Sequence, residues 1–168
     1  PKVGFHFIKT EQGSANAVLT QCGGDICPVA IQIDDCQTHA GVAFSNCQIM
    51  ATVIVGPTNT GPVKFSNCGF WTIPSTQSQA VVDGRGTVTF TGCHFWEWAL
   101  DGSDAACIRV DGGSTIVNGC EFAADKTKIE LTPKTRSAII FGNRMRGGQK
   151  IVDNSPESAS VQIGLNGE

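Results

Sequence analysis

Two carboxylates one structural repeat apart can divide the roles of acid and nucleophile, and this sequence offers such a pair in Asp83 and Asp111. Each precedes a Gly and follows a short apolar segment, Ala80-Val81-Val82 in one case and Ile108-Arg109-Val110 in the other. If those segments are neighbouring parallel strands, the two carboxylates stand about 4.8 Å apart along the stacking direction. Like charges that close raise one of the two pKa values, and a retaining glycosidase works with such a pair. The competing reading is turn chemistry, because Asp-Gly is a turn dipeptide, with Arg85 and Arg109 neutralising both charges. The same two arginines are candidates for holding a substrate.

A second group of residues suits sugar recognition. Trp71 and Trp96 fall at equivalent places in two successive repeats, and an exposed indole matches the apolar face of a pyranose ring. Loop packing or a subunit interface would use the same indoles. His94, with Glu97 and Glu121 near it in the pattern, has the chemistry of a general acid or base. His6 and His39 have no neighbours at metal-ligand spacing and are expected in solvent. No metal and no cofactor is expected.

The elements that must position these groups repeat. Val42-Ala43-Phe44-Ser45-Asn46-Cys47, Val63-Lys64-Phe65-Ser66-Asn67-Cys68, Val88-Thr89-Phe90-Thr91-Gly92-Cys93 and Thr115-Ile116-Val117-Asn118-Gly119-Cys120 share one pattern, with fainter copies around Phe141 and Ile163. Their central residues are spaced 21, 25, 27, 24 and 22 apart, a period of about 24. Each copy alternates over a few residues, which marks a strand buried on one face. Asn46, Asn67, Gly92, Gly119 and Asn143 then fall in one column, and Asn and Gly accept a left-handed backbone, so a sharp bend is expected there.

A second strand recurs at Ile31–Ile33, Val53–Val55, Ala80–Val82, Ile108–Val110, Ile129–Leu131 and Ile151-Val152, followed by the column Asp34, Gly56, Asp83, Asp111, Thr132 and Asp153. Equivalent strands this far apart, with no helical segment to cross between them, must stack in parallel turns. The expected fold is all-β, a parallel β-helix of about six to seven coils forming a single domain over residues 1–168, right-handed by the crossover rule. The prolines Pro28, Pro57, Pro62, Pro74, Pro133 and Pro156 lie between the proposed strands, where no ladder N–H is lost.

Composition sets limits on partners. The 168 residues are 40% hydrophobic and 16% charged, with 20 Gly and a net charge of −3, so the chain can bury a core but offers no basic run to follow a phosphate backbone. That argues against nucleic acid as a partner, and no apolar stretch approaches the roughly 20 residues of a membrane helix. Of eight cysteines, Cys47, Cys68, Cys93 and Cys120 share a column and are expected as an interior ladder of free thiols. Cys22 and Cys27 have the spacing to close a small disulfide loop, so cysteine content leaves the compartment open.

The repeated F-[ST]-[NG]-C-x-F motif, from about Ile31 to Asn166, resembles the right-handed parallel β-helix proteins of the pectate-lyase-like superfamily, which includes polygalacturonases, pectate lyases, epimerases and phage tailspikes. Of the polygalacturonase motifs only the acidic pair Asp34-Asp35 has a counterpart, so no catalytic residue follows from the resemblance. At this length the chain is expected to be a short coil or the C-terminal part of a longer β-helix protein. Two functions follow as expectations. One is a secreted or cell-surface domain that binds a polysaccharide or oligosaccharide, or processes it as a hydrolase or lyase. The other is a structural module that assembles through its coil ends, with copies of itself or with a flanking β-helix domain.

Overall fold

The computed structural model describes residues 2–25 and 27–168. Every regular element among them is a β-strand, and the strands stack into three parallel sheets that run the length of a β-solenoid of seven coils. The first sheet contains Val3–Phe7, Val29–Ile33, Thr52–Val55, Ala80–Val82, Ile108–Val110, Ile129–Leu131 and Ile151–Asp153. The second contains Ala17–Thr20, Val42–Ser45, Val63–Ser66, Thr87–Thr91, Gly113–Asn118, Thr135–Phe141 and Ser160–Gly164. The third, separated from the second by the bend, runs from Gly23–Gly24 through Gln48–Met50, Gly69–Trp71, His94–Phe95 and Glu121–Phe122 to Arg144–Met145. A short antiparallel hairpin, Lys9–Thr10 with Gly13–Ser14, interrupts the first coil.

Alternation explains why these segments form strands around one core. In Val63–Ser66 and Thr87–Thr91 each second residue is buried, so the inward side chains stack from coil to coil. Phe44, Phe65 and Phe90 stack at 5.1 and 5.2 Å with planes 9° apart, and Phe70, Phe95 and Phe122 stack at 4.6 and 4.8 Å beside them. The two piles meet edge to face. Each buried Phe contributes roughly 1.5–3 kcal/mol of burial, and each well-placed ring pair about 0.5–1.5 kcal/mol more.

The bend is a single left-handed residue in all seven coils: Gln21, Asn46, Asn67, Gly92, Gly119, Gly142 and Leu165, with φ between 50° and 67°. This corrects the expected register of the sixth coil. Ile140 pairs with Val117 and Ile163, so the bend is Gly142 and Asn143 falls one place later, in the cysteine column. Phe141, which looked like the central inward residue, points outward and is exposed. In the seventh coil Asp153 pairs with Leu131, so the residue after the strand there is Asn154 and Asp153 leaves the Asp83–Asp111 column. The first coil, absent from the expected repeats, pairs in register with the second through Val3–Phe7 and Ala17–Thr20.

The cysteine column has a hydrogen-bonding reason. The thiols of Cys47, Cys68, Cys93 and Cys120 donate to the carbonyls of Leu19, Phe44, Phe65 and Phe90 in the preceding coil, at 3.4–3.6 Å. Asn143 Nδ2 makes the same bond to Val117 at 3.0 Å, and Asn166 Nδ2 to Ile140 at 3.1 Å. A small side-chain donor, thiol or amide, thus ties each bend after the first to the coil before it. Cys22 heads this column, and both it and Cys27 are free thiols, so the small disulfide loop does not form. Hydrogen bonding to the next sulfur in the column, together with burial, holds Cys68 and Cys93 protonated, with Cys93 pushed up to about 12.

Candidate functional site on the third sheet

The outer face of the third sheet carries two columns of side chains. Gln48, Gly69, His94, Glu121 and Arg144 are in register in the first. Met50 and Trp71 pair in the second, and Trp96 follows one residue past the pair Phe70–Phe95, its N–H bonded to the Phe70 carbonyl at 2.9 Å. Strand geometry alone sends both indoles outward, because Phe70 and Phe95 beside them point in. Trp71 is 46% and Trp96 56% exposed.

Between the two indoles lies a hollow of about 320 Å³ lined by Gln48, Gly69, Phe70, Trp71, His94 and Trp96. Gly69 creates it. A Cβ there would come within 2.6 Å of Gln48 Oε1, so the Gln48 amide lies across the glycine. His94 Nδ1 is 3.0 Å from Glu121 Oε2, and Arg144 Nη1 donates to Glu121 Oε1 at 2.7 Å. An ionised carboxylate only accepts, so Nδ1 is the donor to Glu121 and Nε2 is not used in that bond. The His94 ring lies 6.0 Å from that of Trp96. A second hollow, of about 380 Å³, shares His94 and Trp96 and continues over Glu121, Arg144 and Arg146. The outer face therefore runs from an uncharged end to a charged one along the stack.

The carboxylate pair lies on the first sheet instead. Asp83 and Asp111 follow paired strands, as expected, but their partners differ. Asp83 Oδ1 accepts from the Gly84 N–H at 2.7 Å, a local turn bond. Asp111 Oδ1 accepts from Arg109 Nε at 2.6 Å, and Arg109 Nη1 reaches Glu130 Oε2 at 3.3 Å. The bond to Asp111 raises the Arg109 pKa above its ordinary value. Arg109, Asp111 and Glu130 line a hollow of about 450 Å³ with hydroxyl and amide groups from the 72–79 segment. Arg85 stands exposed in its turn, and its carbonyl accepts from Arg136 Nη2 at 2.7 Å.

The acidic pair Asp34-Asp35 is divided between two environments. Asp34 is exposed enough to bind Gln32 Nε2 at 2.8 Å and His6 Nε2 at 2.7 Å, and the Gln32 bond leads the lowering of its pKa. His6 is thus a surface ring with a carboxylate partner rather than a freely solvated one, whereas His39 is exposed in a turn. Among the described residues no three His, Cys, Asp or Glu gather to hold a metal ion.

The segments 72–79 and 97–106, which follow Trp71 and Trp96, lead away from the third-sheet hollow and line the first-sheet one through Ser75, Gln77, Ser78, Ala105 and Ala106. Gln79, fully buried, donates to Thr72 Oγ1 at 3.0 Å and to the Glu97 carbonyl, which ties the segment after Trp71 to the one after Trp96. The indole that packs beneath a loop is Trp98. It is 0% exposed and lies edge-on to Phe122 at 6.3 Å.

Arg144, Glu130 and Arg136 escaped the sequence reading. Arg144 was within reach of it: with the bend of the sixth coil at Gly142, the residue two places on is Arg144, in line with His94 and Glu121. Placing the bend at Asn143 puts Met145 there. Compared with protein-family models, with curated proteins and with solved structures, the chain finds no match in any of the three.

Proposed function

We propose that this chain is a carbohydrate-binding β-solenoid, of the kind expected in a secreted or cell-surface protein, and that a glycan lies along the outer face of its third sheet. The observation that carries this reading is the pair of half-exposed indoles, Trp71 and Trp96, flanking an uncharged hollow. Large apolar side chains are seldom left half-exposed side by side without a ligand or partner, and a sugar ring needs an aromatic wall and a few hydrogen-bonding groups. The Gln48 amide and His94 Nε2 supply the latter. A relation to the pectate-lyase-like superfamily is supported by the one-residue left-handed bend and the three-sheet coil.

The reading is one of binding. Hydrolysis or elimination through Asp83 and Asp111 would take place on the first sheet, where Gly84 and Arg109 already occupy an oxygen of each carboxylate. The test is a glycan array followed by calorimetry on the best hit. Trp71→Ala combined with Trp96→Ala is expected to abolish binding and leave the melting temperature within about 2 °C, since exposed side chains contribute little to folding. Unfolding of the double variant, or undiminished binding, would count against the site.

Assembly through the coil ends is a second reading, favoured by a separate observation. Phe5, Phe7 and Leu19 in the first coil and Ile151, Val161 and Ile163 in the last are only partly buried although they face inward. A further coil, from a second copy or a flanking β-helix domain, would complete their burial and pair the sheet edges.

A further inference from the structure

We propose that the outer face of the second sheet is the contact through which two copies of this chain pair side by side, antiparallel about a two-fold axis. This surface is separate from the third-sheet indoles and from the coil ends, so the inference goes beyond both readings above.

The strand register lays three outward columns along this face. Thr20, Ser45, Ser66 and Thr91 lead one of them into Asn118 and Phe141. Beside it, Lys64 and Thr89 are followed by Ile116 and Ile139, and Thr87, Ser114, Ser137 and Ser160 form the third. Among the described residues of the three columns Lys64 is the one charged side chain, and there is no carboxylate. Arg136, at the bulge beside them, donates to the carbonyls of Gly84 and Arg85. The other two sheets, by contrast, carry ion pairs on their outer faces, Arg109 with Glu130 and Arg144 with Glu121. Depletion of charge with aromatic and apolar residues at hand is the composition of an interface core, and Ile139, Phe141 and Leu165 are exposed at the far end of this face, Val18 at the near one.

The occupant follows from chemistry and size. A hydroxyl both donates and accepts, so a face of Ser and Thr is its own complement, whereas a charged partner would find little to pair with. Seven strands about 4.8 Å apart and about five residues across make a footprint of roughly 29 Å by 17 Å. Two such faces together cover on the order of 1,000 Å², which is what a specific contact needs. Lys64 sets the direction. It lies in the third coil, so parallel copies would set the two ammonium groups opposite each other, which is repulsive. Antiparallel copies bring the third coil of one against the fifth of the other, where Lys64 faces Ile116, and leave Thr89 of the fourth coil on the axis.

Sedimentation equilibrium of the whole chain over a range of concentrations tests this. A monomer–dimer equilibrium that stops at two is expected, because an isologous contact closes on itself, whereas head-to-tail stacking of coil ends grows without limit. Ile139→Glu combined with Phe141→Glu changes two exposed side chains and should weaken the dimer by a factor of roughly 100 or more, since unpaired charges then enter the contact. Thr89→Cys, made with Cys22→Ser to remove the half-exposed thiol, should give a covalent dimer with a short bis-maleimide on a denaturing gel. A strict monomer, an open series of oligomers, or a dimer that resists the two glutamates would overturn the inference. Should the glutamate variant misfold, failure of the Thr89→Cys chain to cross-link would do the same.

Discussion

Ser14 and Thr60 surround the buried carboxylate of Asp35 with three hydrogen bonds, from Ser14 Oγ at 2.5 Å and from the Thr60 N–H and Oγ1 at 2.9 Å each. Burial by itself would push this carboxyl's pKa up, but the bonds to the charged form outweigh it and hold the group below its ordinary value. A depressed folded-state pKa means that the ionised group stabilises the fold fully above the unfolded value of about 3.9, and that this contribution is lost as pH falls through the folded value. Asp35→Asn should therefore cost roughly 1–3 kcal/mol at pH 7 and flatten the fall in stability below about pH 4. Urea melts between pH 3 and 7 measure both, and an acid limb like that of the parent protein would show that Asp35 does not set it. The contrast with Asp83 and Asp111 is instructive. Those two look like a catalytic pair in the sequence, yet the carboxylate most completely enclosed by donors is one whose partners come from other coils.

The element that recurs most faithfully is the bend between the second and third sheets. Its left-handed residue is Asn67 in the third coil, with φ of 53°. Asn67→Val places a β-branched side chain in that conformation and should destabilise by about 1–3 kcal/mol, whereas Asn67→Gly should stay within a few tenths of a kcal/mol of the parent protein because Gly accepts this angle freely. Chemical denaturation of the pair separates backbone strain from loss of the side chain, and equal stabilities would contradict the bend. The column after the bend makes its own prediction. Seven of the eight thiols are buried and Cys22 alone is half-exposed, so a thiol reagent added to the native protein should modify one cysteine per chain rapidly and the rest only on unfolding. Fast reaction at Cys68 or Cys93 would break the register.

At the scale of the whole molecule, stability is expected to fall from the middle coils toward the ends, because each coil rests only on its neighbours. Phe65 and Phe90 are fully buried between flanking coils, while Phe5 and Phe7 only partly so. The open edges bear on assembly: light scattering at high concentration should report a species larger than the monomer if the ends stack on copies of the same chain, and a strict monomer would set that reading aside. The sequence by itself determined the all-β class, the parallel stacking, the period, the bend and the thiol column. All five follow from rules that act within a few residues and repeat in each coil, so every copy reinforces the others. Only the tertiary structure decided that Phe141 yields the inward place to Ile140, that Asn143 stands in for a cysteine, and that Arg109 and Arg144 are each held by carboxylates of a neighbouring strand or turn. It also decided which tryptophan packs beneath a loop and which two stay outside. These outcomes depend on how outward side chains and loops of unequal length meet across coils, and a repeat read along one chain carries no information about contacts that occur only once.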